Sequence, residues 1–260
     1  MQEFIDNSDG KDKQDCEINA SKRWVDNFNN QTEKKLIMLG DDLYSREPMI
    51  QNILDKKHSY IFVAKPTSHK YLYEQIEMIR NLGTLDTKKQ EKIVHGKKQI
   101  TTYSYINDVM IKSSQGKKVQ SLTTNWCEVI VTNVNGKKLY HNCFITNIPL
   151  HANNVADIIQ AGRTRWKIEN ENNNTLKTKG YNLEHNFGHG QKNLSKILCS
   201  LNILAFLFHT VQELEDELYI ELRDNIGSRE QFFHGINFLT TMFNFKSFNH
   251  MIEFILKSRQ

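Results

Sequence analysis

Leu36-Ile37-Met38-Leu39-Gly40-Asp41-Asp42 is an apolar run that stops on a glycine and two acids. Such a run, bounded by turn formers, reads as a buried strand that delivers Asp41 and Asp42 at its C-terminal end. Pro48 then opens a helix to about residue 57, at a first-turn position where its missing N–H has no partner to lose. Tyr60-Ile61-Phe62-Val63-Ala64 is a second buried strand, closed by Lys65-Pro66, and a helix follows over 69–80. Strand–helix–strand–helix order implies parallel strands joined by a crossover, the α/β class. Upstream, Cys16, Ala20, Trp24 and Val25 recur near helical spacing and predict a helix over 13–28.

Downstream the character changes. Residues 82–148 read as strands and turns, with Gly-Lys-Lys at Gly96, Gly116 and Gly136. Asn135-Gly136, between Val129-Ile130-Val131 and Leu139-Tyr140, is a strong hairpin signal. Evenly spaced basic turns suggest an antiparallel meander. From the residues alone, lysines such as Lys137 and Lys138 read as solvated turns; the functional alternative is a phosphate-contacting rim. After Pro149 the chain turns helical, and residues 152–179 carry Arg163-Thr164-Arg165-Trp166-Lys167-Ile168-Glu169. Residues 181–190 read as a loop; His185 and His189 could be metal ligands at helical spacing, but in a glycine-containing loop they read as shaping the turn. Residues 194–211 have so wide an apolar face that they predict a buried helix. Two helices close the chain near 229–243 and 247–257, their phenylalanines reading as core. The expected organisation is 1–81, 82–148, 149–193 and 194–260.

Bulk properties bound the partners. The net charge of +4 and pI near 8.7 allow a polyanionic partner without demanding one. Residues 1–16 are polar and acidic, with no secretory signal pattern. The apolar stretch 201–208, interrupted by Asn202, is too short to span a bilayer. The expectation is a cytoplasmic protein with no membrane partner. Cys16, Cys127, Cys143 and Cys199 are scattered without a Cys-x-x-Cys pair, which reads as reduced thiols and no zinc site.

Asp41, at a strand end, and Glu169, on a helix, are the carboxylates that could do chemistry. Magnesium and manganese take hard oxygen ligands, and a metal pair can activate a water or a 3′-hydroxyl for displacement at phosphorus. Such a site needs at least three converging acids. Asp42 would point to the opposite face of an extended strand from Asp41. Arg165 and Glu169, four apart, share a helix face, where a surface ion pair of small weight is the bland alternative. Trp166 and Ile168 are expected to anchor that helix in the core. Glu171 lies about 200° around it from Glu169.

These residues resemble the C-terminal part of a DDE transposase of bacterial insertion sequences, of the group with a β-rich insertion in an RNase H-like core. The resemblance rests on Leu39-Gly40-Asp41-Asp42-Leu43-Tyr44, Phe62-Val63-Ala64-Lys65-Pro66, Arg165-Trp166-Lys167-Ile168-Glu169, and Asn182-Leu183-Glu184-His185-Asn186-Phe187-Gly188-His189-Gly190. The family's second aspartate precedes a tyrosine by three positions, as Asp41 precedes Tyr44. Its glutamate follows Arg-Trp-x-Ile, as Glu169 does. The implied fold is a partial RNase H-like mixed sheet flanked by helices, with an inserted antiparallel β subdomain and a C-terminal helical region. The family signature is Tyr-x2-Arg-x3-Glu-x6-Lys. Here the tyrosine position is Gly162 and the lysine position is Leu176, with Lys177 one residue late. In a regular helix Lys177 would sit about 80° off the Glu169 face, and only a bulge would bring it back. Lys179 and Lys192 are the other candidates for that role.

The resemblance implies phosphoryl transfer on DNA, with Asp41 and Glu169 holding Mg2+ or Mn2+. It implies DNA contacts from Arg165, Lys177, Lys65, Lys137 and Lys138. Element ends and target DNA would be the partners, and a homodimer the parent assembly. Asp6, Asp9, Asp12 and Asp15 do not read as the family's first aspartate, so a truncated transposase, inactive alone, is expected. The alternatives are a non-catalytic DNA-binding or dimerisation fragment, and a stand-alone RNase H-like nuclease.

Overall fold

The two apolar runs become β1 (Ile37–Gly40) and β2 (Ser59–Val63), paired in parallel with Leu39 opposite Ile61 and Gly40 opposite Phe62. The crossover between them is α2 (Glu47–Asp55), with Pro48 in its first turn. α1 (Glu17–Gln31) precedes β1, and α3 (Lys70–Asn81) follows β2. A computed structural model describes residues 3–5, 16–113, 120–185 and 192–258 of the chain. It divides into two units, Met1–Arg165 and Trp166–Gln260.

In the first unit four further strands follow: β3 (Asp86–Val94), β4 (Lys97–Ser113), β5 (Gln120–Asn133) and β6 (Lys138–Thr146). They are consecutive antiparallel neighbours, yet they form no separate sheet. β6 pairs antiparallel with β2, which gives one six-stranded mixed sheet in the order β1-β2-β6-β5-β4-β3. The β3–β4 turn is His95-Gly96, both with positive φ (50° and 73°), as a two-residue turn matched to strand twist requires. At the β5–β6 turn Gly136 has φ 77°, and the Asn133 side chain accepts from the N–H groups of Asn135 and Lys137. The third Gly-Lys-Lys, at Gly116, lies outside the described residues.

The central strands β2, β6 and β5 are buried on both faces, whereas β3 has no buried residue, and strict alternation assigns each side chain to one face. Tyr60, Phe62, Trp126, Cys143 and Ile145 face Val25, Met49, Ile50, Ile53, Leu72 and Ile76 of α1–α3. Ile61, Cys127, Val129 and Phe144 face the other way, onto Val155, Ile158 and Ile159 of α4 (Val155–Arg163). Gly162 lets α4 lie close on the sheet. A Cβ there would come within 2.8 Å of the Phe144 ring and 3.0 Å of Ile61 Cγ2. The tyrosine of the family signature has no room at this position.

From Arg165 the chain continues as α5 (Arg165–Lys167), a π-helical segment (Ile168–Asn173) and α6 (Asn174–Thr178). The second unit then adds α7 (Leu194–Glu215), α8 (Glu217–Asn225), α9 (Arg229–Met242) and α10 (Phe248–Lys257). Asp216, Ser228 and Ser247 cap the last three by accepting first-turn N–H groups. The core of this unit is Tyr219, Leu222, Ile226, Phe232, Met251, Ile252 and Ile255. Of the expected core phenylalanines, Phe232 is buried whereas Phe238, Phe243 and Phe254 are exposed.

Three expectations are corrected here. α7 is not a buried helix: Leu194, Ile197, Leu201, Leu204, Leu207, Phe208 and Val211 are all exposed. Its other side packs on α8 and α6, and His209 meets Phe232 and Phe233 of α9. Nor is it too short to span a bilayer. It has 22 residues, and an 18-residue window within it has a mean hydropathy of 1.6, long and apolar enough by length and composition. Apolar residues flanking 201–208 outweigh the single Asn202. Trp166 and Ile168, expected in the core, are 48% and 54% exposed.

The close approach of α4 makes Gly162→Ala a sensitive probe. We expect it to destabilise the first unit by about 1–3 kcal/mol through overpacking, seen as a lower thermal midpoint. An unchanged midpoint would contradict the packing described.

Candidate functional site at the strand ends

β1 and β2 run in parallel, so both C-terminal ends open on the same edge of the sheet. Crevices at such strand ends are where open α/β sheets bind ligands. Asp41 stands there, exposed, its Oδ1 accepting the Leu43 N–H at 2.9 Å. That bond closes a turn without using the whole carboxylate.

Asp42 is engaged quite differently. Its Oδ1 accepts the Lys65 N–H at 2.6 Å, and its Oδ2 accepts the Ser68 hydroxyl. His69 Nε2 lies 3.8 Å from the same carboxylate and 2.6 Å from Ser45 Oγ, which donates to the Asp42 carbonyl. Asp42 thus ties the loop after β1 to the loop after β2, with a side chain only 15% exposed. Tyr44 braces the same loop against α1, donating to Glu17 and accepting from Ser21. Burial, then the bond to Glu17, pushes its hydroxyl up to about 12.

Lys65 is exposed at the end of β2, beside this loop. Strand register places more lysines farther out on the same edge. Val63 pairs with Phe144, and β6 begins six residues before Phe144, at Lys138. At about 3.3 Å per residue, the β5–β6 turn with Lys137 and Lys138 lies roughly 20 Å beyond the end of β2. The β3–β4 turn reverses at the same end, since Gln99 pairs with Asn133, and it adds Lys97 and Lys98. Lys98 is partly neutralised by Glu91 at 2.7 Å.

Arg165 closes the first unit and Glu169 lies in the second. Neither side chain lacks a partner. Within the second unit, the Asn174 N–H donates to the Glu169 carbonyl, five residues back, the mark of a π turn. The extra residue it accommodates moves Lys177 to the equivalent of seven α-helical steps from Glu169. That is about 20° from the Glu169 azimuth instead of about 80°. Leu176, at the signature's lysine position, is buried, while Lys177 makes a surface ion pair with Glu184 at 2.7 Å. Asp6, Asp9, Asp12, Asp15 and His189 lie outside the described residues.

Sequence reasoning missed one cluster. Among the described residues, the group of three or more side chains able to hold a metal is Glu128, His141 and Cys143, on the α1–α3 face of the sheet. Asp41 and Glu169 belong to no such group. No local motif announces the three residues, because they come from two strands and meet only through sheet register. No family model matches the chain, and no curated protein does.

The two aspartates should separate cleanly in stability. Asp42→Ala leaves the Lys65 N–H and Ser68 without their acceptor and should cost about 1–3 kcal/mol. Asp41→Ala should stay within about 0.5 kcal/mol. Equal losses in urea titrations would contradict the division of roles.

Acid sensitivity follows from two buried histidines. Burial, with Lys35 adding to it at His58, holds both His58 and His69 below the ordinary imidazole value. The unfolded chain therefore binds those protons first. Stability present above about pH 6.5 is lost as pH falls toward the depressed folded values. Urea midpoints should drop between pH 7.5 and 5.5; a rise would contradict this.

Proposed function

We propose that the chain is a DNA-binding fragment of the DDE transposase kind, built for metal-dependent phosphoryl transfer. The observation that carries this reading is the exposed Asp41 at the end of a parallel strand pair, beside Lys65, with a lysine rim on the same edge. On the resemblance, Asp41 and Glu169 are the residues proposed to ligate Mg2+ or Mn2+. Hard oxygen donors near cationic side chains suit such ions when phosphate supplies the remaining ligands. Lys65, Lys137 and Lys138 would contact the phosphate backbone. Arg165 would position phosphate or Glu169, and the π turn lets Lys177 serve from the Glu169 side of its helix. The sequence offers no counterpart of the family's first aspartate, and on the resemblance the chain alone is proposed to bind DNA without cleaving it. Metal-dependent nicking by the purified chain, abolished by Asp41→Ala and Glu169→Ala, would favour a stand-alone nuclease instead.

A second reading, a non-catalytic dimerisation fragment, draws on the exposed apolar face of α7. Large exposed apolar patches mark interaction surfaces. Sedimentation would show a concentration-dependent dimer that Leu204→Glu weakens.

DNA binding tests the main reading. Affinity for duplex DNA should fall steeply as salt rises from about 50 to 200 mM. Replacing Lys65, Lys137 and Lys138 with alanine should lower the slope of log K against log salt by about one per lysine. A slope unchanged in the triple variant would contradict the proposed contacts.

A further inference from the structure

The Glu128–His141–Cys143 cluster lies apart from the strand-end site and does not depend on the function proposed for it. β5 and β6 place Glu128 directly opposite Cys143, and His141 sits two residues earlier on the same strand and face. Glu128 Oε1 is 2.8 Å from His141 Nε2, and Cys143 Sγ lies 3.6 Å from that nitrogen and 3.9 Å from Oε1. Glu128 Oε2 is taken by Arg80, at 2.9 Å, from the last turn of α3. The carboxylate is thereby fixed by one oxygen and presents the other to the cluster.

These spacings match a tetrahedral zinc site. With Zn–N and Zn–O bonds near 2.0–2.2 Å and Zn–S near 2.3 Å, tetrahedral angles put nitrogen and oxygen about 3.3 Å apart and sulfur about 3.6 Å from each. The sulfur already sits at those distances to within about 0.3 Å. The nitrogen–oxygen pair is closer because a hydrogen bond now joins it, and an ion would spread it by about half an ångström. A buried thiol ordinarily packs as a small apolar group. Cys143, 4% exposed, instead has both an imidazole nitrogen and a carboxylate oxygen within reach. Thiolate, imidazole and carboxylate together suit zinc, whereas magnesium and calcium avoid sulfur.

We propose that Glu128 Oε1, His141 Nε2 and Cys143 Sγ form a zinc site, with a water in the fourth position on the exposed His141 side. On binding, the Cys143 S–H bond breaks, its proton goes to solvent and an S–Zn bond forms. The Nε2 proton that bonds Glu128 moves to Nδ1 through solvent, so the imidazole binds neutral through a bare Nε2 and its bond to Glu128 is given up. Arg80 stays on Oε2 and holds the carboxylate in its one-oxygen geometry. The ion links β5 to β6, beside the end of α3.

Cobalt(II) titration of the chelator-stripped full chain tests this. A single equivalent should give visible d–d bands with a near-ultraviolet thiolate-to-cobalt charge-transfer band. Zinc should displace it, and excess magnesium should not. His141 is half-exposed, so His141→Ala should fold and bind cobalt at least tenfold more weakly. Cys143→Ser should lose the charge-transfer band, while Cys16→Ser should keep it. If Cys143→Ser does not fold, the His141→Ala titration decides alone. Zinc should also raise the melting temperature of the parent chain but not of His141→Ala. No charge-transfer band, or one of equal affinity in His141→Ala, would overturn the proposal.

Discussion

The pairing of β2 with β6 is the constraint on which the first unit depends. Without it, β1–β2 would be an isolated parallel pair and β3–β6 a meander with both edges, β3 and β6, uncovered. With it, Ile61–Val63 meets Phe144–Thr146 in antiparallel register, and one sheet carries both halves. The same register sends Phe62 and Ile145 toward α1–α3, and Ile61 and Phe144 toward α4. A slip of one residue would reverse every one of those assignments. Fully burying each such side chain contributes about 1.5–3 kcal/mol relative to leaving it exposed, so the register is strongly specified.

Both candidate sites follow from that register. It directs the β5–β6 and β3–β4 turns toward the same edge as Asp41 and Lys65, which makes a basic rim out of lysines far apart in sequence. It also brings Cys143 opposite Glu128 on the helix-covered face, where Arg80 completes the arrangement. Asp42 adds a second restraint by tying the ends of β1 and β2 together through the Lys65 N–H. Asp41 keeps its exposure because its neighbour does the structural work.

Much of this was legible in the sequence, and the reasons differ by element. The runs at 36–39 and 60–64 are short, apolar and bounded by turn residues, and they fold as strands within a residue or so of those limits. Asn135-Gly136 marks its hairpin because the turn needs a positive φ that glycine supplies. What stayed hidden depends on long-range partners. Nothing local in 138–146 says that this strand pairs with 59–63. Nothing in Glu128, His141 or Cys143 alone says that three donors converge. The apolar face of α7 read as buried because hydropathy reports what a surface would gain by being covered, not whether a neighbour covers it. The π turn at 168–173 was invisible for a similar reason: helical periodicity assumes a fixed rotation per residue, and one extra residue shifts Lys177 by about 100°.

Asp41, and not Asp42, is proposed as the metal-facing carboxylate at the strand ends. Amide NMR of the full chain during a Mn2+ titration tests it most directly. Paramagnetic broadening should appear first at the amides of Asp41, Leu43 and Lys65, and should vanish there in Asp41→Asn. Broadening spread evenly over exposed carboxylates, or unchanged in Asp41→Asn, would contradict the account.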